Sequence, residues 1–181
     1  MVLLICSVQL LKVDGQALQE ARIYFHKAVL DPEQSSAFRA QMLGHGNNEA
    51  VFLAYRAVSE AMLARVMWNP FTQFNQLKKY QKGMDAAVAQ SPNNVEIRFL
   101  RLAIEVNLPT FLGMSGNIDQ DQETILKNIA AISSLDIDLE YGRYIFHFLQ
   151  ETNLFNEKEL SELKAAFTSA SRKLPHARSI P

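Results

Sequence analysis

From Leu18 onward, apolar residues recur at intervals of three and four, and no stretch alternates strictly between apolar and polar. That spacing gathers apolar side chains on one face of a helix and scatters them over both faces of a strand, so it predicts an all-α fold. Proline, glycine and asparagine then cut the pattern into about seven to nine helices. The first segment, Leu18 to Leu30, stacks Leu18, Ala21, Phe25, Ala28 and Val29 on one side. It ends at Asp31-Pro32, because proline disfavours the helical conformation in the residue before it. A short helix is expected from Ser36 to Leu43, ahead of a break at Gly44-His45-Gly46. Asn47 or Asn48 can cap a long helix to about Met67. Asn69 caps the next, with Pro70 at the first helical position where its missing N–H costs nothing. That helix places Phe71, Phe74, Leu77, Tyr80, Met84 and Val88 at core spacing, and Trp68 and Phe71 are expected to anchor the corner inside the core.

The corner Ser91-Pro92-Asn93-Asn94 closes that helix and caps another, Val95 to Asn107. Apolar residues cover most of its circumference and leave one narrow polar stripe, Arg98, Arg101 and Glu105, three and four apart. Downstream, Asn117 or Asp119 caps a helix to about Ser133, Asp136 caps one to about Gln150, and Asn156 with Glu159 forms a capping-box-like start to the last. Phe52, Phe99, Leu100, Ile104 and Phe146 are expected in the core.

With 181 residues and a single cysteine, Cys6, the chain is long enough to bury a core without staples and has no internal disulfide or CxxC pair. A formal charge of −1 from interspersed acids and bases gives no sign of the one-signed field that nucleic acid or an anionic membrane surface would favour, so no nucleic-acid partner is expected. The amino terminus is different in character. Val2 to Leu11 is almost wholly apolar, and Gly15-Gln16-Ala17 offers a small-x-small pattern suited to signal peptidase, although no basic residue precedes the run. Residues 1–17 are therefore either an export signal, which would place the protein in the periplasm or outside the cell, or a first apolar helix of a cytoplasmic protein. In the second case Val2, Leu4, Val8 and Leu11 need a buried partner, and a homo-oligomer contact would supply one. Ten residues are too few to span a bilayer as a helix.

Each chemical motif has a structural explanation that outweighs it. Asn117-x-Asp119-x-Asp121-x-Glu123 imitates a calcium loop, but Gln122 stands where the turn glycine belongs and Asn128 where a bidentate Glu belongs. Asp136, Asp138 and Glu140 suit a first helical turn. Gly113-Met114-Ser115-Gly116 lacks the spacing of a nucleophile elbow and follows no strand. His26, His45, His147 and His176 are isolated, without metal-ligand spacing. No catalytic residue, metal or cofactor is expected.

Two short stretches repeat. Glu49 to Leu53 and Glu96 to Leu100 each follow an Asn-Asn pair, and their Phe-Leu pairs align 47 residues apart. Ala21, Phe25 and Ala28 before Asp31-Pro32, and Ala87 before Pro92-Asn93-Asn94, resemble the second helix and closing proline of tetratricopeptide (TPR) repeats. The whole chain, including "WNPF" and "PNNVEIRFLR", also resembles a group of uncharacterised, apparently exported bacterial TPR-like proteins, a likeness that brings no known activity with it. The spacing exceeds the usual TPR repeat of about 34 residues. The resemblance implies one domain over residues 18–181, an array of antiparallel helix pairs whose concave side binds a protein or peptide.

The sequence thus favours a non-catalytic binding scaffold. In it, Arg98, Arg101 and Glu105 either form a solvated or scaffold stripe or grip a ligand carboxylate. The alternative is an enzyme whose acid/base residues converge only in space, drawn from Glu60, Glu96, Arg98, Arg101 and His147.

Overall fold

The computed structural model describes the backbone of residues 2–44, 48–132 and 139–171, and the side chains of 15–44, 48–132 and 139–170. Among these residues there are nine α-helices, two 3-10 turns and no strand, as the helical periodicity predicts. No described helix is long and apolar enough to cross a membrane. The chain divides into two compact units, Met1–Gly83 and Met84–Pro181.

The first unit holds α1 (Val2–Leu30), α2 (Ser35–Gly44), α3 (Ala50–Val66) and the start of α4 (Pro70–Gln90). Helix α1 runs unbroken through Gly15, so Leu18 is not a helix start. The side chains of Val2, Leu4, Val8 and Leu11 lie outside the described residues, as do His45, Gly46 and Asn47. At the other end of α1, Asp31 turns extended and accepts the Glu33 N–H at 3.0 Å, and Pro32 opens a 3-10 turn. Helix α2 packs on α3, and both pack on α1. Ala21 and Ala28 are buried beside Phe25, whose ring centroid lies 6.2 Å from that of Phe38 and 6.1 Å from that of Tyr55. Small residues on either side of a large one let the three helices approach while the aromatic fills the gap. Truncating Phe25 to Ala would cost about 3–5 kcal/mol.

Asn69 caps α4 as predicted, accepting the Phe71 N–H at 2.9 Å, and Pro70 is the first helical residue. The N-cap of α3 is Glu49, without a side-chain cap bond, rather than Asn48. The larger correction concerns the aromatics at the α3–α4 corner. Trp68 is 90% exposed and Phe71 82%, and Phe74 is also exposed at 37%. Gln76 bonds Glu60 of α3, and a Cβ on Gly83 would stand 3.0 Å from the Ala57 Cβ, so these two positions mark the packed side of α4. At 3.6 residues per turn, Phe71 and Phe74 sit roughly 140–160° away from Gln76. The core spacing is real, but Leu77, Tyr80 and Met84 carry it without the two phenylalanines.

The second unit continues α4 and adds α5 (Val95–Glu105), α6 (Ile118–Lys127), α7 (Ile129–Ile132), α8 (Leu139–Glu151) and α9 (Glu157–Ser171). Asn94 caps α5 by accepting the Ile97 N–H at 3.1 Å, and every residue of α5 is buried. Helix α5 packs on α6 and α7, while α9 packs on α7 and α8. Phe99 sets its ring edge-on to Phe148 at 5.8 Å and to Tyr144 at 6.3 Å. Phe52 and Phe99, the aligned aromatics of the repeated stretch, are both buried, as are Leu100 and Ile104. Phe146 is only half-buried, because the packed face of α8 is Tyr141, Ile145 and Leu149.

The helix predicted to run to about Ser133 is interrupted at Asn128. Asn117 stands at the start of α6, yet its side chain makes no cap bond. Asp136 and Asp138 lie outside the described residues. The capping box at α9 is present in both directions: Glu159 N–H donates to Asn156 Oδ1 at 3.0 Å, and Asn156 N–H to Glu159 Oε2 at 2.9 Å.

Candidate functional site

Arg98, Arg101 and Glu105 do form one stripe of α5, but the stripe is not solvated. The two arginines are each 4% exposed, and Glu105 is buried with them. What covers them is α6, which brings in Asp121. Arg101 donates from Nε to Asp121 Oδ2 and from Nη2 to Asp121 Oδ1, both at 2.7 Å, and Arg98 Nη1 donates to the same Oδ1 at 2.8 Å. Gln120 Oε1 accepts from both guanidiniums, and Arg98 Nε donates to the Pro92 carbonyl at 2.8 Å. A planar fork meeting a carboxylate two bonds at a time is the geometry in which arginine tolerates burial. Of the solvated and scaffold alternatives the stripe is the scaffold one, and its acceptor comes from twenty residues downstream, on a helix whose acids look sufficient as first-turn residues.

Glu105 has a different set of partners. Its carboxylate accepts the Asn117 backbone N–H at 2.9 Å and the Asn117 side-chain amide at 2.8 Å, while its carbonyl accepts the Ser115 hydroxyl at 2.9 Å. This pins the loop from Asn107 to Asn117, whose 3-10 turn ends on Gly113 at a φ of 64°, a left-handed conformation that favours glycine. Loss of solvent pushes the Glu105 pKa up and Asp121 adds to the rise, against the lowering influence of the Asn117 bonds and of Arg101. On α8, burial pushes the Tyr144 hydroxyl up to about 12. The arginine cluster thus ties α5, α6 and a loop together, with its hydrogen-bonding groups turned toward one another.

An open site lies between α8 and α9. Leu139, Gly142, Arg143, Phe146, His147 and Gln150, at intervals of three, one and three, form one stripe of α8, opposite Lys164, Phe167 and Thr168 of α9. Together they line a groove of about 390 Å³. Phe167 is buried and Phe146 half-buried, whereas Arg143, His147, Gln150 and Lys164 are exposed, so an aromatic floor sits beneath a polar rim. Lys164 Nζ lies 5.9 Å from the Phe146 ring centroid, and the His147 ring 5.9 Å from the same ring. The rim offers amine, guanidinium and imidazole nitrogens, and among the described residues the lining contains no carboxylate.

The other residues considered for an acid/base site do not gather around His147. Glu60 belongs to the first unit, where it pairs with Arg39 at 2.9 Å and accepts from Gln76. Glu96 is buried on α5, and Arg98 and Arg101 are held by Asp121. Asp121, one of the three acids of the calcium-loop imitation, is engaged by those two guanidiniums. Sequence reasoning singled out His147 but passed over Arg143, Gln150 and Lys164. The signal was present in the cationic and aromatic residues at three-and-four spacing on α8, although nothing local shows which helix lies opposite. Comparison with protein-family models, characterised proteins and solved structures finds no match for this chain.

Proposed function

We propose that the chain is a non-catalytic, TPR-like helical scaffold that binds a protein or peptide partner in the groove between α8 and α9. The observation that carries this is the groove itself: open, with an aromatic floor, a rim that carries Arg143 and Lys164, and no carboxylate among its described lining residues. Such a surface suits an acidic segment carrying one or two large apolar side chains, the aromatics giving contact area and Arg143 and Lys164 selecting charge. Support for the array comes from helices that pack on their sequence neighbours and next-nearest neighbours within each unit, and from the buried Ala21, Phe25 and Ala28 triplet. Among the described lining residues His147 has no acidic neighbour, so the groove favours the scaffold reading over an acid/base site. Export remains the reading of Val2 to Leu11 with Gly15-Gln16-Ala17, and the mass of the chain recovered from its native host decides it.

The binding test uses labelled peptides of one length that carry Glu and Asp around Leu or Phe, with Lys-for-Glu versions as controls. The acidic set should bind, weaken with added salt, and lose about tenfold or more in affinity to Arg143→Glu/Lys164→Glu, a change at exposed positions. Equal binding by both peptide sets, or no effect of the double variant, would remove the groove as the site.

A further inference from the structure

At the α3–α4 corner the first unit holds out an aromatic edge, and the side chains around it give that edge a sign. Asn69 fixes the corner through its bonds to the Phe71 and Thr72 N–H groups, and Thr72 Oγ1 returns a bond to the Asn69 carbonyl at 2.8 Å. Trp68 and Phe71 are therefore presented from a capped helix start. Along α4, Phe71, Phe74, Lys78 and Lys82 follow one another at intervals of three and four, all exposed, with Lys78 Nζ 4.5 Å from the Phe74 ring centroid. From Ala61 to Met84 the chain contains Arg65, Lys78, Lys79 and Lys82 and no Asp or Glu. The near-zero charge of the whole chain conceals this locally one-signed stretch.

We propose that this corner docks the protein on an anionic lipid bilayer, with Trp68 and Phe71 entering the headgroup–acyl boundary and Lys78 and Lys82 lying over the phosphates. Amphipathic aromatic rings are suited to the depth at which membrane interfaces hold Trp, and lysines behind them meet the negative surface. A second copy of the chain is the weaker occupant. A fully buried aromatic removes roughly 150–250 Å² from water, so one tryptophan and two phenylalanines, already partly covered, fall short of the ~800 Å² per partner of a stable interface.

Trp68 is the only tryptophan in the chain, which makes it a built-in reporter. The full chain would be mixed with phosphatidylcholine vesicles, with vesicles containing phosphatidylglycerol, and with the same vesicles carrying brominated acyl chains. A blue shift of Trp68 emission with the anionic vesicles alone, quenched by the bromolipids and reversed by salt, is expected. Phe71→Ala should weaken vesicle binding about tenfold or more. Lys78→Glu/Lys82→Glu should abolish it, with helical circular dichroism unchanged in both variants. An emission spectrum indifferent to anionic vesicles overturns the proposal, as does binding that Phe71→Ala leaves intact. A blue shift that appears without lipid as protein concentration rises assigns the corner to self-association instead. Neither result bears on peptide binding between α8 and α9, so the two can fail separately.

Discussion

Trp68 stands almost wholly in solvent, while Arg98 and Arg101 stand almost wholly out of it. By transfer energies alone the assignment would be reversed, since a buried guanidinium is costly and an exposed indole forgoes hydrophobic gain. The difference lies in what each can meet. The arginines are met by Asp121 in fork geometry, by Gln120 and by the Pro92 carbonyl. On α4, the side that meets α3 already carries Gln76 and Gly83, with Phe71 and Phe74 turned away from it. At these positions burial follows the supply of partners rather than the polarity of the side chain, against a core that is otherwise mostly apolar.

The strongest way to break that comparison is to remove the shared acceptor. Asp121→Ala leaves two buried guanidiniums facing each other without their carboxylate, and should destabilise the protein by about 3–5 kcal/mol in urea or thermal unfolding. Arg98→Ala/Arg101→Ala, which strands Asp121, should fall in the same range rather than near zero. The sharper version replaces all three residues by Leu, because apolar residues of similar volume often substitute for a buried ion cluster at little cost. The triple variant should therefore be more stable than Asp121→Ala alone. A small effect of Asp121→Ala would mean that water reaches the arginines.

The cluster also shows which parts of the fold were legible in the sequence. Asn69, Asn94 and the Asn156–Glu159 box were readable because a cap bonds its own helix within three residues. Core positions such as Phe99, Leu100 and Ile104 were readable from periodicity. Asp121 was not, because its partners lie 20 and 23 residues away, and spacing on one helix says nothing of the helix laid across it. Phe146 illustrates a milder failure: α8 carries two apolar stripes, and only packing reveals that Ile145 points inward while Phe146 floors a groove. Trp68 failed for a third reason, since the preference of large aromatics for the interior is statistical and no local signal marks a corner that overhangs its core.

Glu105 tests the same principle through pH. Its pKa is raised above the ordinary 4.5, chiefly by desolvation, so the folded state holds this proton more tightly than the unfolded chain. Its contribution is then fully present below the unfolded pKa and is lost as pH rises through the folded one. Comparing wild type with Glu105→Gln by denaturant titration across that window isolates the group, and the wild-type advantage should shrink as pH rises. An advantage that grows with pH would show that the Asn117 bonds and Arg101 outweigh burial.

A buried polar group without a partner gives a smaller effect of opposite sign. Ser35 is fully buried at the start of α2, and its hydroxyl has no hydrogen-bond partner. Ala at this position removes an unsatisfied oxygen and suits a helix better, so Ser35→Ala should leave stability unchanged or raise it by up to about 1 kcal/mol. A clear loss on thermal unfolding would reveal a hydrogen bond to water at that site.

The smallest expected effect belongs to the exposed side of the comparison. Trp68→Ala/Phe71→Ala deletes more apolar surface than any change proposed for the arginine cluster, yet that surface is in water in the folded chain as it is in the unfolded one. Substitutions at such positions usually move stability by no more than about 0.5 kcal/mol each. The Asn69 cap, which uses a side-chain oxygen and backbone N–H groups, is untouched by either change. Urea unfolding in the absence of lipid should therefore give nearly superimposable curves for the double variant and wild type, followed by circular dichroism since the tryptophan is gone. A loss of several kcal/mol would place the two rings against protein in solution, at a self-association surface, and would make their exposure a property of the isolated chain alone.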